Sequence, residues 1–227
     1  MSAEIRRQNV LFVLVVVASW FAITEFFPVL VRIWGRPKVP GDVLAAARMF
    51  CLFLVTWAYV RFYERRSFSS GFNFNFQRLG DRLLWAAVFA VLTVAVEAAY
   101  QFLIVMPLTR KVVEASAGAP SEAITPLWAR LTTYIYVVFE GVIEVLIFVG
   151  FLFDRLAEKW GWAAGLVVSN SAFALWHYSY WRNGWLEGSL MVLLTFIVGV
   201  GVSLSYLKTR NSLSPVLRTL FHCMLPL

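Results

Sequence analysis

Seven long apolar segments constrain the fold of this chain more than any other feature. A transmembrane helix needs about 20 consecutive apolar residues, and most of these segments reach that length. They belong to a chain of 227 residues in which 60% of the side chains are hydrophobic and only 15% are charged. A soluble globular protein carries about 25% charged residues, so a soluble fold is excluded. The segments run over residues 9–34, 43–63, 83–107, 127–156, 160–182, 188–207 and 213–227.

These segments predict an all-α integral membrane protein, a polytopic helical bundle of about seven transmembrane helices. The range is six to eight, because the last segment is short for a complete span. The first segment follows Arg6 and Arg7, but its apolar run is too long for a signal peptide, and we count it as a span. We expect a single membrane-embedded domain over residues 1–227, because the connections leave no room for a separate soluble domain.

The positive charge of the chain is distributed between the apolar segments. The formal net charge is +7, and Lys and Arg in such positions set topology and touch anionic headgroups, so nucleic acid is not an expected partner. Eleven of these residues lie on the side of the N-terminus and seven on the other side. This bias favours a cytoplasmic N-terminus. The same count puts the start of the fourth helix and the end of the fifth outside.

Paired glutamates stand on the fourth apolar segment. Glu140 and Glu144 are four residues apart, so they share a helix face with their Cβ atoms about 6 Å apart, and their charges repel in a poorly hydrated site. An ionisable side chain in hydrocarbon is costly and needs a partner or a function. One interpretation is acid-base chemistry. The other is that one glutamate forms an interhelical ion pair with Arg48 or Arg218.

The two histidines of the chain, His177 and His222, lie in two other apolar segments. A single histidine in a span is more often a hydrogen-bonded packing residue than a catalyst. Two histidines together with a carboxylate can deprotonate a water, stabilise an oxyanion and return a proton to a leaving amine. Those are the three requirements of peptide hydrolysis.

Three short motifs in the second half of the chain, about residues 127–227, resemble the CPBP family of intramembrane proteases. This family includes the type II CaaX prenyl endopeptidases and bacteriocin-processing membrane proteins, and it carries E-E-x-x-x-R, F-x-x-x-H and H-x-x-x-N on successive helices. Residues 144–150, E-V-L-I-F-V-G, resemble the first motif. Residues 173–177, F-A-L-W-H, match the second, and residues 222–226, H-C-M-L-P, resemble the third.

The first and third motifs are degenerate. Val145 stands where the family has its second Glu, Val149 where it has Arg, and Pro226 where it has Asn. The lost Glu and Arg would face each other as an ion pair, and apolar residues can replace such a pair without loss of stability. We therefore expect both valines to face packed neighbours or lipid rather than a cavity.

Two other residues are candidates for the lost functions. Asn170 lies two turns before His177 on the same helix face and is a candidate oxyanion donor in place of the missing Asn. Glu140 is a candidate replacement for the missing second carboxylate. Both assignments come from spacing alone.

The resemblance implies a glutamic-type intramembrane endopeptidase in which Glu144, His177 and His222 are catalytic. Glu144 would activate water, the two histidines would assist, and all three would converge on one cavity. The substrate would be a peptide or protein segment in or at the lipid bilayer, either a prenylated C-terminal peptide, an exported precursor or a C-terminal sorting tail. We expect a multi-pass protein of a bacterial or archaeal cell membrane. The sequence leaves the oligomeric state open.

Two other function classes stay open. The lost Glu, Arg and Asn also suit a proteolytically inactive member of the family that binds and regulates a membrane partner. A small transporter could use the same buried residues as a proton relay, but the chain has no inverted repeat.

We expect no cofactor. Two histidines and one glutamate would make at most a minimal zinc site, and no His-Glu-x-x-His helix is present, so zinc is not favoured.

Overall fold

A computed structural model of the chain describes residues 17–20, 22, 41–109, 135 and 138–224. Within these residues the regular structure is entirely helical and contains no strand, which confirms the all-α fold class. The expected number of about seven transmembrane helices stays a prediction.

The described helices are labelled in chain order. They are α1 (Gly41–Ala58, extended by Tyr59–Tyr63), α2 (Phe68–Gly71), α3 (Leu79–Tyr100, extended by Gln101–Val105 and Met106–Thr109), α4 (138–160, including Val145–Phe153 and Asp154–Trp160), α5 (Trp162–Trp176), α6 (Trp185–Thr209) and α7 (Leu213–Met224). A 3₁₀ segment, Tyr178–Asn183, joins α5 to α6.

Two of these helices are long and apolar enough to cross a membrane. They are Leu79–Thr109, which is α3 with its extensions, and Trp185–Thr209, which is α6; α5 is a shorter apolar helix. Large apolar side chains on α3 point outward, for example Val91 at 64% and Leu103 at 75% exposure. Outward-facing leucine and valine of this kind suit contact with lipid, so length, composition and exposure together support the membrane assignment.

The two long helices pack against each other in antiparallel orientation. At one end the Lys208 ammonium lies 4.4 Å from the ring centre of Trp85. At the other end the Tyr100 hydroxyl donates a hydrogen bond to the Leu190 carbonyl at 3.0 Å. These two contacts define the two ends of the bundle, called below the Trp85 end and the Tyr100 end.

Helix α4 forms the centre of the hydrophobic core. Every residue of Val145–Phe153 is buried, and this stretch is π-helical. A helix that is apolar on all sides is stable only when other helices surround it. Here α1, α5, α6 and α7 all contact it, and the Trp20 ring packs edge-on against Phe148 at 5.4 Å.

A buried polar cluster, which we call the Arg155 network, ties α4 to the connection between α1 and α3. The Arg155 guanidinium donates to both carboxylate oxygens of Glu64, at 3.0 and 2.6 Å, and to the Gly71 carbonyl at 2.7 Å. It also donates to Asp154 at 3.0 Å, and Asp154 accepts a 2.5 Å hydrogen bond from the Tyr206 hydroxyl. The network fixes this connection against the Trp85 end of α6.

Gly150 marks the closest packing between α4 and the start of α7. A Cβ atom built on Gly150 would lie 2.6 Å from Ser212 Oγ and 3.2 Å from the Phe72 carbonyl oxygen. Gly150→Ala is therefore expected to destabilise the protein by about 1 to 3 kcal/mol, because the core must move to admit the methyl group. A thermal melt in detergent measures the change.

Gly80→Ala is the matched control for this prediction. Gly80 lies in the first turn of α3, and nothing lies within 4 Å of a Cβ atom built on it. Because alanine favours helix by up to about 1 kcal/mol over glycine, Gly80→Ala should melt at or above the parent temperature. Equal melting of the two variants would contradict the packing argument.

Candidate active site

Glu144 and His177 face each other across the hairpin formed by α4 and α5. Gly161 joins the two helices with φ of +86°, a conformation that favours glycine, and Gly165 packs directly on Ala157. Glu144 lies seventeen residues before Gly161 and His177 sixteen residues after it, so antiparallel helices place them at the same level. Glu144 Oε1 lies 3.6 Å from His177 Nε2.

The His177 ring is held in a defined orientation. Its Nδ1 lies 3.0 Å from the Phe173 carbonyl oxygen, one turn back on α5. A neutral ring that donates its Nδ1 proton to this carbonyl presents a lone pair at Nε2, toward Glu144. Phe173 packs edge-on against the ring at 5.0 Å, and Tyr180 stacks on it at 5.6 Å. The imidazole is therefore oriented before any ligand binds.

A cavity of about 320 Å³ adjoins this pair. Within the described part of the chain, Glu144 Oε1 and Thr219 Oγ1 are buried and make no hydrogen bond. Both residues line the cavity, so it offers polar groups to a hydrogen-bonding ligand. The lining residues are Glu140, Gly141, Glu144, Val145, Phe148, Val149, Asn170, Phe173, His177, Tyr180, Val198, Gly199, Val202, Arg218 and Thr219.

The ion-pair interpretation of the glutamates stays open. The close polar contact of Glu144 is with His177. Arg48 interacts with Glu144 electrostatically, but its guanidinium lies over the Trp176 ring at 5.5 Å. Arg218 is buried and interacts with Glu97 on α3.

Glu140 and Asn170 both lie on the cavity wall. The Asn170 amide nitrogen donates to the Leu166 carbonyl at 2.8 Å and to Ser203 Oγ at 3.2 Å. An amide nitrogen has two hydrogens, so these two bonds use its full donor capacity. Asn170 could serve an oxyanion only after releasing one of these partners. Its expected role and that of Glu140 stay predictions.

His222 lies on α7, but its side chain is outside the part of the structure that is described, as is Pro226. Arg218 and Thr219, one turn earlier on the same helix, line the cavity. Helix α7 therefore borders the cavity, while the convergence of His222 with Glu144 and His177 stays a prediction.

The expectation that Val145 and Val149 face away from any cavity is wrong, because both line it. The physical reason is that the cavity wall includes many apolar side chains, such as Phe148 and Val202, so an apolar residue beside Glu144 need not face away from it. Positions 144, 145, 148 and 149 form one stripe along a helix, and all four line the cavity. A Glu and an Arg at these two positions would enter the cavity itself.

Tyr180 and Thr219 are cavity residues that sequence reasoning missed. Tyr180 lies three residues after His177, so the 3₁₀ turn that follows α5 brings its ring back over the imidazole. This spacing of three residues could have predicted that Tyr180 lies near His177. No sequence pattern predicts Thr219 as a cavity residue, because its position depends on how α7 packs against the other helices.

No three His, Cys, Asp or Glu side chains among the described residues are close enough together to hold a metal ion. The His222 side chain is not among those residues, so the expectation of a site without metal or cofactor stays a prediction.

The second half of the chain is similar to a known protein family. No curated protein matches the chain, and no solved structure matches it. Residues 126–224 match the family described as type II CAAX prenyl endopeptidase Rce1-like. The match contains Glu144, His177 and His222, and it confirms the resemblance drawn from the three motifs. The second half of the chain is therefore similar to the Rce1-like family of type II CAAX prenyl endopeptidases.

Proposed function

We propose that this chain is an intramembrane endopeptidase that uses Glu144 and His177 to cleave a membrane-associated or C-terminal peptide segment. The observation that carries the proposal is the 3.6 Å approach of Glu144 Oε1 to His177 Nε2 beside a cavity, inside the segment that matches a protease family. An acid-base pair at this separation can share one water molecule.

In the proposed reaction, Glu144 takes a proton from water as the water oxygen attacks the carbonyl carbon of the scissile peptide bond. The carbonyl oxygen becomes an oxyanion, for which the candidate donors are His222, His177 once its Nε2 carries a proton, and Asn170 after it releases one of its present partners. The C–N bond then breaks, and the proton held by Glu144 passes to the leaving nitrogen. The products are a carboxylate and an amine.

The proposal also includes the environment of the reaction. The substrate reaches the site in or at the bilayer, and the protein is a multi-pass protein of a bacterial or archaeal cell membrane with a cytoplasmic N-terminus.

The second candidate function is a proteolytically inactive protein that binds and regulates a membrane partner. Two observations favour it. Val145 and Val149 give the cavity wall two apolar side chains where the family motif has charged ones, and the Asn170 amide hydrogens are already used.

The experiment that separates the two functions compares the termini of membrane proteins in cells that express the parent chain or Glu144→Gln. Glutamine keeps the size of the side chain but removes the basic carboxylate, so new termini should fall by at least about a hundredfold. His177→Ala should cause a similar loss, and Glu140→Gln a smaller one.

Glu187→Gln, in the first turn of α6 and away from the cavity lining, is the matched control and should cleave normally. Complete maturation by a normally folded Glu144→Gln protein would leave partner binding as the better account.

A further inference from the structure

We propose that the Trp85 end of the bundle carries a binding surface for acidic phospholipid headgroups. We call it the arginine rim, and it consists of Arg65, Arg78, Lys208 and Arg210. The inference is independent of proteolysis, because it concerns residues outside the cavity lining.

The arginine rim lies where the membrane-spanning helices begin and end. Arg78 directly precedes Leu79–Thr109, and Arg210 directly follows Trp185–Thr209. Lys208 links the two ends through its contact with Trp85. The residue before one membrane-spanning helix and the residue after its antiparallel neighbour lie at the same boundary between hydrocarbon and headgroups. The cationic groups of Arg78, Lys208 and Arg210 are therefore at the depth of lipid phosphates.

The backbone of the rim is unusual. Within the described residues, the non-glycine residues with positive φ are Arg65 at 57°, Arg78 at 51° and Arg210 at 50°, together with Asn73 at 50°. The left-handed conformation favours glycine and asparagine, and other residues adopt it at a free-energy cost. All three arginines are exposed. Strained positions of this kind often have a function, and here the shared feature is an outward-facing guanidinium.

The connection that carries Arg65 and Arg78 is fixed to the start of α7, which follows Arg210. Asn211 Nδ2 donates to the Asn75 carbonyl at 3.1 Å, and the Ser212 amide donates to the Asn73 carbonyl at 3.0 Å. These bonds hold the backbone of the connection before Arg78 against the backbone that follows Arg210. A backbone that is already fixed loses less conformational entropy on binding than a mobile one does.

Charge and apolar exposure at this end match a lipid rather than a soluble anion. The Arg155 network neutralises Glu64 and Asp154, while Asp81 and Glu158 are exposed acidic residues that reduce but do not cancel the positive charge. Phe62 and Phe76, at 75% and 69% exposure, lie in the same part of the chain as the arginines. Aromatic and basic groups together are typical of the membrane interface. A phosphate diester with attached acyl chains contacts both.

The test measures the melting temperature of the full chain in nanodiscs of phosphatidylcholine alone and with phosphatidylglycerol added. We expect the acidic lipid to raise the melting temperature of the parent protein by roughly 2 to 4 °C for each arginine engaged. The triple variant Arg65→Asn, Arg78→Asn, Arg210→Asn should lose most of this rise. Because asparagine tolerates positive φ, the triple variant should melt no lower than the parent in phosphatidylcholine.

The charge-retaining triple variant with lysine at the same three positions is the matched control, and it should keep most of the rise. An undiminished rise in the asparagine variant would overturn the proposal, and so would equal losses in the asparagine and lysine variants. A lower melting temperature of the asparagine variant in phosphatidylcholine would overturn the argument from backbone strain.

Discussion

A chain that carries both Glu144→Gln and His177→Ala is expected to cleave substrate only slightly more slowly than a chain that carries either change alone. Each single change should slow cleavage by about a hundredfold or more, because each removes one half of an acid-base pair. If the two residues acted independently, the double change would slow cleavage by about ten-thousandfold. When two groups act on the same water molecule, removing either one already abolishes their joint effect. The two losses in cleavage rate therefore do not multiply.

The structural reason for this expectation is the shared position of the two side chains. Glu144 Oε1 lies 3.6 Å from His177 Nε2, and the Phe173 carbonyl fixes the opposite nitrogen of the ring. Initial rates on one processed substrate, with protein amounts matched and melting temperatures checked, measure the coupling. Losses that multiply would show that the two residues act at separate steps or separate sites, and the proposed mechanism would then be wrong.

Part of this site could be predicted from the sequence because it depends on local periodicity. The placement of Glu144 and His177 follows from their nearly equal separations from Gly161, seventeen and sixteen residues, and such separations can be counted in a sequence. The all-helical fold follows equally from the apolar segments. Both inferences need only the rise of a helix and the thickness of a bilayer.

The parts that the sequence does not predict depend on where a cavity forms and on distant contacts. Val145 and Val149 carry no polar atom that would indicate a cavity position, yet both line the cavity because apolar side chains make up much of its wall. The pairing of Glu64 with Arg155 joins residues 91 positions apart. Neither residue stands out in the sequence, since both lie among other charged residues near the ends of apolar segments.

Replacing Arg155 by methionine is expected to produce the largest loss of stability among the single changes considered for this chain. Arg155 is 9% exposed and donates to Glu64, to Asp154 and to the Gly71 carbonyl. Its removal leaves the Asp154 carboxylate without its cation in a poorly hydrated site, and it leaves Glu64 with only the 3.9 Å contact to Arg66. Breaking a buried pair in this way costs about 3 to 5 kcal/mol, which corresponds to a decrease of roughly 10 °C in melting temperature.

The compensated variant Arg155→Met, Glu64→Gln, Asp154→Asn distinguishes an unpaired charge from lost packing. It removes both carboxylates while keeping side chains of similar volume, and replacing a complete buried network is often neutral. We therefore expect it to recover most of the melting temperature that Arg155→Met loses in detergent. The Tyr206 hydroxyl should still find an acceptor, because the side-chain amide introduced by Asp154→Asn keeps one carbonyl oxygen. If the compensated variant melts as low as Arg155→Met alone, packing of the guanidinium rather than its charge stabilises this end of the bundle.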